Sequence, residues 1–276
     1  MSRQFLLTGF FFMLTKNKIK QLQSLRESKQ RQEQGLFLVE GPKWVSEILQ
    51  SQMNIVELFA VDAWINHHQT LLVNKKFPVI PIDDMELKKI SSLITPNAVV
   101  AVIRMPRPSL DPDLFQQDLC LMLDGIQDPG NLGTIIRIAD WYGVQQIICS
   151  TDCVDLYNSK VIQASMGSLL RVKVIYKDLK EFLTSLPSGI PIYGALLDGE
   201  NIVLEKLSAN GIIIIGNESK GISKSILPFI THKIKIPSFD IGDMEGKAES
   251  LNASIATSLI CHEFRRRITT NKEVNS

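Results

Sequence analysis

Residues 119–141, LCLMLDGIQDPGNLGTIIRIADW, decide the fold of the second half of the chain. The apolar run Leu119–Asp124 predicts a buried strand, and the apolar spacing from Leu132 to Trp141 predicts a helix. Between them lies a polar loop with two glycines and Pro129. A strand, a short loop and a helix in this order form the repeating unit of a parallel sheet.

The same alternation continues toward the end of the chain. We predict strands at 145–150, 171–175, 191–196, 211–215 and 233–236, and helices at 159–167, 179–186, 223–229 and 250–267. Short apolar strands that alternate with helices are typical of an α/β protein whose mostly parallel sheet is covered on both faces. Ligands of such sheets bind beyond the carboxyl ends of the strands, so the loops there are the first candidates for a site.

A smaller α/β unit precedes this sheet. Residues 14–104 contain a weakly amphipathic helix that ends at Gly35, strands predicted at 36–39, 55–61, 78–82 and 98–104, and helices predicted at 42–50 and 84–91. Three prolines in the polar stretch that follows predict a linker at 105–117. We therefore expect one domain at 14–104, a second at 118–268, and a tail at 269–276.

The composition is that of an ordinary globular protein, with 45% hydrophobic and 21% charged residues. The formal net charge is +1, so binding to a polyanion must come from a local patch. Cys120, Cys149, Cys153 and Cys261 form no CxxC pair. We expect buried free thiols in a reducing compartment, a cytoplasmic location and no metal.

The first 13 residues are unusual for such a protein. The run Phe5–Leu14 is strongly apolar after Arg3, as in a short signal peptide, but a lysine-rich stretch follows in place of a cleavage site. The run is also too short to span a bilayer as a helix. We expect a disordered leader, or a true start at Met13, and no membrane association.

The loop after the first strand carries Asn131 and Gly133, and Arg137 follows in the helix. Asn131 is predicted to cap the helix, and Gly133 allows a backbone or a ligand to approach closely. Arg137 stands among isoleucines, where a guanidinium is costly without a phosphate or carboxylate partner. The glycines do not follow the GxGxxG spacing of nicotinamide-binding loops, and the sequence has no P-loop pattern.

Polar loops also follow two later strands. Gly216-Asn217-Glu218-Ser219-Lys220-Gly221 predicts a tight turn with exposed N–H groups. In it, Glu218 is placed to hold Arg137 or a substrate hydroxyl. The third loop begins at Pro237, passes Gly242 and Gly246, and ends at Asn252.

Ser250 and Asn252 stand before the last helix and are predicted to cap it. Leu251, Ile255, Leu259 and Ile260 lie on one side of that helix. This apolar side requires a buried partner surface, within the domain or across a dimer.

Together these loops resemble the motifs of the SpoU (TrmH-type) branch of the SPOUT methyltransferases. The first motif, Asn-x-Gly-x-x-x-Arg, matches residues 131–137. The second, a Gly-Asn/Ser-Glu-x-x-Gly loop after an apolar strand, matches residues 216–221. The third, Ile-Pro followed by a loop and Ser-Leu-Asn-x-Ser-x-Ala, matches residues 236–237 and 250–256. Residues 14–104 resemble the ribosomal-protein-L30e-like substrate-binding domain.

The resemblance implies a deep trefoil knot in the C-terminal half, S-adenosylmethionine as cofactor without a metal, and a homodimer whose site draws on both chains. It implies cofactor contacts from Leu196, Gly216, Asn217, Gly221, Ile236 and Leu251. It implies a catalytic site made of Arg137 with Asn131, Glu218, Ser250 and Asn252 around it.

The implied reaction is methyl transfer to a ribose 2′-hydroxyl of RNA. That hydroxyl is a poor nucleophile at neutral pH, so it needs activation and in-line placement. In the family the arginine of the first motif, here Arg137, is the suggested activator. A guanidinium is a poor base, so Arg137 could instead fix a phosphate and stabilise the developing alkoxide. The sequence leaves both roles open.

The resemblance also gives the N-terminal unit a role in RNA binding. Its basic residues would contact phosphates and hold the register, and the candidates are Arg31, Lys43, Lys18 and Lys20. We expect ribosomal RNA as the substrate because the separate N-terminal domain resembles that of ribosomal-RNA members. Arg265–Arg267 suit either a helix C-terminus or an RNA-binding patch.

The sequence is also to be weighed against three other functions. Transfer RNA is the other substrate class, and an RNA-binding knot protein without activity is the other kind of function. A dehydrogenase on a doubly wound sheet is opposed by the missing nicotinamide fingerprint.

Overall fold

The structure is a computed structural model that describes residues 14–238 and 250–274. The predicted leader and most of the third loop, residues 1–13 and 239–249, lie outside the described residues. The chain divides into two compact units, Met1–Pro106 and Arg107–Ser276. Among the described residues, no helix is long and apolar enough to cross a membrane.

The first unit is built on a four-stranded sheet within its described residues. Its strands are β1 (Leu36–Glu40), β2 (Ile55–Ala60), β3 (Val79–Pro81) and β4 (Val99–Arg104). Its helices are α1 (Lys16–Ser24), α2 (Ser28–Gln34), α3 (Pro42–Leu49), α4 (Asp62–His67), α5 (Gln69–Leu72) and α6 (Asp84–Ile90).

The sheet of the first unit is mixed. Its order is β1-β4-β2-β3, with β4 antiparallel to both of its neighbours and β2 parallel to β3. The predicted N-terminal helix is two helices, α1 and α2, and the second ends at Gly35 in the left-handed conformation with φ 64°. Glycine takes this conformation without steric cost, which explains the helix end there.

The second unit is built on a six-stranded parallel sheet within its described residues. Its strands are β5 (Leu119–Asp124), β6 (Gln146–Ser150), β7 (Lys173–Lys177), β8 (Ile192–Asn201), β9 (Gly211–Gly216) and β10 (His232–Lys235). Its helices are α7 (Leu114–Gln117), α8 (Pro129–Trp141), α9 (Ser159–Ser165), α10 (Leu179–Ser185) and α11 (Ala253–Val274), with short 3-10 helices at Ser168–Leu170 and Leu227–Phe229.

The strand order of this sheet is β10-β8-β9-β5-β6-β7, and every paired neighbour is parallel. All residues of β5 and β6 are buried, as is β9 up to Ile215. Strands buried on both faces are what helices on both sides of a parallel sheet produce. This confirms the α/β architecture predicted for the second half.

Some predicted boundaries are wrong. Phe115 in α7 is 1% exposed and packs into the core of the second unit, so residues 114–117 belong to that unit and not to a linker. The helix predicted at 223–229 is only the 3-10 turn Leu227–Phe229. The last helix begins at Ala253 and continues to Val274, so most of the predicted tail is helical.

Candidate active site

Three polar loops emerge side by side at one edge of the second-unit sheet. Strands β10, β8, β9 and β5 are consecutive parallel neighbours, so their carboxyl ends lie at the same edge. In parallel α/β sheets this is the edge where ligands bind. The loops that follow β5, β9 and β10 are the three loops that carry the predicted motifs.

The loop after β5 leads directly into helix α8. Asp128 is the N-cap of this helix, and its Oδ1 accepts a hydrogen bond of 2.8 Å from the backbone N–H of Asn131. Pro129 occupies the first helical position, where its missing N–H is not needed. The prediction that Asn131 caps the helix is therefore wrong, because Asp128 fills that role. The side chain of Asn131 is left free for other partners.

Asn131 joins the other two loops. Its Nδ2 donates a short hydrogen bond to the Glu218 carboxylate, and its Oδ1 accepts a hydrogen bond of 2.9 Å from Asn252 Nδ2. One amide, with one donating and one accepting end, thus connects residues 87 and 121 positions away in the chain. Asn131, Glu218 and Asn252, which we call the Asn131 cluster, come one from each motif.

The loop after β9 is a tight turn closed by its own backbone. Asn217 N–H donates to Gly221 O over 3.1 Å, and Gly221 N–H donates back to Asn217 O over 2.9 Å. Gly221 has φ 66°. A Cβ on Gly216 would lie 2.3 Å from the Gly221 backbone carbon, so only glycine fits there. The turn holds Glu218 at its tip, half-buried and directed to Asn131.

The Asn217 side chain serves this turn and the first loop. Its Oδ1 accepts hydrogen bonds from the N–H groups of Ser219 and Lys220, over 2.9 and 3.1 Å. Its Nδ2 donates to Gly125 O over 2.8 Å. Because both ends of the amide are used, the side chain of Asn217 positions the loops, and a cofactor contact from this residue is not favoured by its bonding.

Asn252 is the residue that caps helix α11. Its Oδ1 accepts hydrogen bonds from the N–H groups of Ser254 and Ile255, over 3.0 and 3.3 Å. Ser250 is exposed and stands three residues before the first helical residue, Ala253. The predicted capping role thus belongs to Asn252, whose Nδ2 still faces Asn131. The prediction that Ser250 caps the helix is wrong.

Arg137 projects from helix α8 into solvent. Its side chain is exposed, and no hydrogen bond or ion pair joins it to another of the described residues. The sequence argument that Arg137 is buried among isoleucines is therefore wrong, since only Ile135 and Ile136 of that run are fully buried. The described contacts do not bring Arg137 into the Asn131 cluster. What remains is an exposed guanidinium available to an external anion.

Gly133 permits close packing of two helices. A Cβ at this position would lie 2.5 Å from Ala164 Cβ and 2.7 Å from Val161 O, both in helix α9. The expected close approach is therefore to the backbone of α9. This contact fixes the position of α8 and of the residues that it carries.

Sequence reasoning missed a set of side chains that hold the first loop from the neighbouring strand. Gly125 N–H donates to Ser150 Oγ over 2.8 Å, and Ser150 Oγ donates to Asp152 over 2.5 Å. Cys153 Sγ accepts from Ile126 N–H over 3.2 Å. Ser150 ends β6, and Asp152 and Cys153 follow it, so their place at the carboxyl end of a strand is the signal in the sequence that points to them.

The cysteines are all free and buried. Hydrogen bonds, first with Cys149 and then with Ser150 and with backbone N–H groups, lower the pKa of the Cys153 thiol to about 7, against the raising effect of burial. Burial raises the pKa of Cys120 and of Cys261. Among the described residues, no group of three or more His, Cys, Asp and Glu could hold a metal ion.

The remaining predicted cofactor contacts lie at the same edge. Strand β8 pairs with β9 through Gly194 and pairs again with β10 from Glu200, so residues 195–199 lie outside both ladders. Leu196 in this excursion is partly buried against the core. Ile236 is half-buried just after β10, and Leu251 is 46% exposed.

The basic residues predicted to bind RNA differ in their environments. Arg31 is 3% exposed, and its guanidinium donates to Leu25 O and Arg26 O over 2.8 and 2.7 Å. Its predicted role as a phosphate contact is therefore wrong, because it holds the turn between α1 and α2. Lys18 forms an ion pair with Glu57 within the unit. Lys20 and Lys43 are exposed.

The three arginines near the end of the chain lie within helix α11 and not at its C-terminus. Arg265 forms an ion pair of 2.7 Å with Asp118 and donates to Tyr142 O over 2.8 Å. Arg267 donates to the carbonyls of Ile202 and Val203 over 2.8 and 2.7 Å. Both side chains hold the last helix against other parts of the second unit.

Two known families match this chain. The SpoU rRNA Methylase family matches residues 118–262, and the MRM3-like substrate binding domain matches residues 16–101. The 23S rRNA (guanosine(2553)-2′-O)-methyltransferase of Bacillus subtilis is 27% identical over 253 residues, which cover 90% of this chain and 96% of that relative.

Solved structures agree with these matches. A TrmH-family protein from Porphyromonas gingivalis is 37% identical, with a TM-score of 0.81 over 92% of this chain and 99% of that one. The SpoU methyltransferase AviRb from Streptomyces viridochromogenes, in complex with AdoMet, is 25% identical, with a TM-score of 0.78 over 93% of this chain and 99% of that one. The match with the SpoU family covers the whole parallel sheet and the Asn131 cluster. This chain belongs to the SpoU rRNA methylase family.

Proposed function

We propose that this protein transfers the methyl group of S-adenosylmethionine to a ribose 2′-hydroxyl of ribosomal RNA. The observation that carries the proposal is the Asn131 cluster, in which one amide joins Glu218 and Asn252 at the ligand-binding edge of the sheet. The two hydrogen bonds hold the Asn131 side chain in one orientation. A site that positions a nucleotide requires polar groups that are held in a fixed geometry in this way.

The residues at this edge fit S-adenosylmethionine. Residues 195–199 lie outside the strand ladders, and the turn at Gly216–Gly221 has no side chain at either glycine. Neutral backbone groups next to apolar side chains such as Leu196 and Ile236 suit an adenosyl group. When bound, the cofactor supplies a methyl group already activated on a sulfonium. The protein therefore needs only to place and activate the acceptor.

We assign to Arg137 the activation of the acceptor, the ribose 2′-hydroxyl. Guanidinium groups keep their protons, so a role as general base is disfavoured. An exposed guanidinium with no partner among the described residues can donate to an RNA phosphate and to the 2′-oxygen as negative charge develops there. The Asn131 cluster positions the nucleotide and the loops.

A homodimer completes this proposal. Leu251 lies two residues before helix α11, and Ile255 and Leu259 lie one turn apart within it; they are 46%, 52% and 45% exposed. Trp141, at the end of α8, is 84% exposed. Ile260 is 1% exposed, so it faces the unit itself and does not belong to the stripe as predicted. An exposed apolar stripe of this kind is typical of an interface. A second copy across it would bring groups of both chains to one site.

The proposal also includes a deep trefoil knot in the second unit. Family membership supports the knot. The strand order also places β10, the strand from which the third loop departs, beside β8. The path of residues 239–249 would decide it, and an experimental structure that traces these residues is the test.

Ribosomal RNA is the substrate that we favour over transfer RNA. The Bacillus subtilis relative modifies 23S rRNA by its name and covers nearly the same length of chain. The N-terminal unit, matched by a substrate binding domain, offers the exposed Lys20 and Lys43 for phosphate contacts.

Transfer of labelled methyl groups tests the proposal. Ribosomal RNA and transfer RNA from a strain lacking the gene are incubated separately with the protein and methyl-labelled S-adenosylmethionine, and the modified nucleoside is identified. We expect one 2′-O-methylated nucleoside in ribosomal RNA. Label in transfer RNA alone would reverse the substrate assignment. Calorimetric binding of the cofactor without transfer to either RNA would favour an inactive RNA-binding protein.

A further inference from the structure

The turn that follows helix α9 places an exposed methionine in a conformation that methionine rarely adopts. Met166 has φ 47° and ψ 45°, the left-handed region, and its side chain is 48% exposed. Glycine or asparagine normally occupies this position at a helix end because a larger side chain is strained there. The chain has a glycine at the next position, Gly167, and still keeps a long apolar side chain at residue 166.

The residues on either side of Met166 in this turn contact helix α8 on either side of Arg137. Ser165 N lies 3.1 Å from the position that a Cβ on Gly133 would take, and Ser168 Oγ donates to Asp140 over 2.8 Å. Gly133, Arg137 and Asp140 are the i, i+4 and i+7 positions of α8, so they share one face of that helix. The segment between Ser165 and Ser168 therefore runs along helix α8 past the position of Arg137.

The turn is held firmly in this place. Arg171 forms a bidentate ion pair with Asp140, with Nε and Nη2 donating over 3.0 and 2.7 Å, and this lowers the pKa of the Asp140 carboxyl. Ser165 is fully buried, and Ser168 is 3% exposed. Met166 is thus an exposed apolar group on an anchored turn. Positions of backbone strain of this kind are often kept for contact with a ligand.

The surroundings of Met166 identify the kind of ligand. The side chain of Arg137 is exposed, and that of Arg171, which is paired with Asp140, is 54% exposed. An exposed apolar group on a turn that packs along the helix of an exposed guanidinium matches a nucleotide, whose phosphate is anionic and whose base has a flat apolar face. The polarizable thioether of methionine packs well against aromatic rings.

We propose that Met166 is a specificity residue that packs against the base of the nucleotide whose ribose Arg137 serves. This rests on the proposed function, because it uses Arg137 as the group that contacts the acceptor. The base that stacks on Met166 would be held out of its helix, so that the 2′-hydroxyl is presented to the methyl donor.

Two substitutions at this position separate a base contact from a structural role. Met166→Gly removes the side chain and relieves the backbone strain, so the melting temperature should stay the same or rise. We expect the KM for ribosomal RNA and the Kd of filter binding to the same RNA to rise about tenfold, within what one base-stacking contact contributes. The kcat and the Kd of S-adenosylmethionine should stay within about twofold.

Met166→Leu keeps an apolar side chain in the same strained conformation, so it should recover most of the RNA affinity. Leu204→Ala is the matched control: Leu204 is 83% exposed, and it follows β8, which β9 and β5 separate from β6, the strand that precedes α9. It should change none of these quantities.

The outcomes distinguish this proposal from the proposed function. If the wild-type protein methylates RNA and Met166→Gly binds and methylates the RNA equally well, Met166 does not contact the base. If the wild-type protein transfers no methyl group but Met166→Gly still weakens RNA binding, the contact stands and the proposed function fails. A loss of cofactor affinity, or a shift of the dimer equilibrium in sedimentation with RNA affinity unchanged, would overturn the proposal in favour of a structural or interface role.

Discussion

The two units differ in how well their functional residues follow from their positions in sequence. In the second unit, Asn131, Glu218 and Asn252 each belong to a loop that follows a predicted strand, and the structure brings all three into hydrogen-bond contact. In the first unit, the charge of four basic residues and the family resemblance predict that they bind RNA. One of these is buried, one is paired, and two are exposed.

The reason for the difference is topological. Parallel strands that neighbour one another end at the same edge, so the loops that follow them begin at a common place however far apart they lie in sequence. A lysine or arginine in a small mixed domain has no such constraint. Its side chain can serve a phosphate or a nearby carbonyl with the same chemistry.

The largest expected effect is that of Arg137→Ala. Because its side chain is exposed and has no partner among the described residues, the substitution should leave the melting temperature unchanged. Loss of a group that stabilises developing charge should lower kcat by about 100- to 1,000-fold, while the calorimetric Kd of S-adenosylmethionine stays the same. The control is Lys180→Ala, another exposed basic residue in the same unit. Wild-type kcat in Arg137→Ala would remove Arg137 from the site.

The Asn131 cluster is tested by two changes at one residue. Asn131→Ala removes both hydrogen bonds, and Asn131→Asp places a second carboxylate next to Glu218. We expect Asn131→Ala to lower kcat/KM by about tenfold and Asn131→Asp to lower it further at neutral pH, because two like charges repel.

The pH dependence separates the two variants. Repulsion raises the pKa of one of the paired carboxyls, so protonation restores a donor between them as the pH falls. Asn131→Asp should therefore recover activity relative to Asn131→Ala below neutral pH. Parallel pH profiles for the two variants would mean that the Glu218 carboxylate is not the partner that matters.

Much of the fold was available from the sequence, and the limits have physical causes. The spacing of apolar residues predicted the strands of the second sheet to within a few residues, apart from the longer β8. Helix ends were harder, since a cap depends on which side chain reaches a free N–H. Asp128 does so in place of Asn131, and of the two residues predicted to cap the last helix, only Asn252 does.

The exposure of a side chain could not be predicted from its neighbours in sequence. Isoleucines on both sides suggested a buried Arg137, yet residues next to one another in a helix point in different directions. Arg31 shows the opposite error, since a charged residue in a polar segment is buried when carbonyls of a neighbouring turn satisfy its donors. Such long-range or turn-specific pairings are set by the fold and leave no local pattern.

Arg31→Ala tests the contrast within the first unit. Removal of its donors to Leu25 O and Arg26 O should lower the free energy of unfolding by about 2 kcal/mol, measured by urea denaturation. The matched variant is Lys43→Ala, at an exposed position, which should leave the free energy of unfolding unchanged. It should reduce the slope of log K for RNA binding against log salt concentration by about 1, as expected for the loss of one phosphate contact. The reverse result, a stable Arg31→Ala with weakened RNA binding, would restore Arg31 as a phosphate contact.

The smallest expected effect compares the two residues before the last helix. Asn252 accepts hydrogen bonds from the N–H groups of Ser254 and Ile255, so Asn252→Ala should lower the free energy of unfolding by about 1 kcal/mol. Ser250 is exposed and precedes the helix by three residues, so Ser250→Ala should leave stability unchanged. Because Asn252 also donates to Asn131, Asn252→Ala should lower methyl transfer as well. If Ser250→Ala instead reduced methyl transfer at unchanged stability, the serine of this motif would act on the nucleotide or the cofactor, independently of the cap.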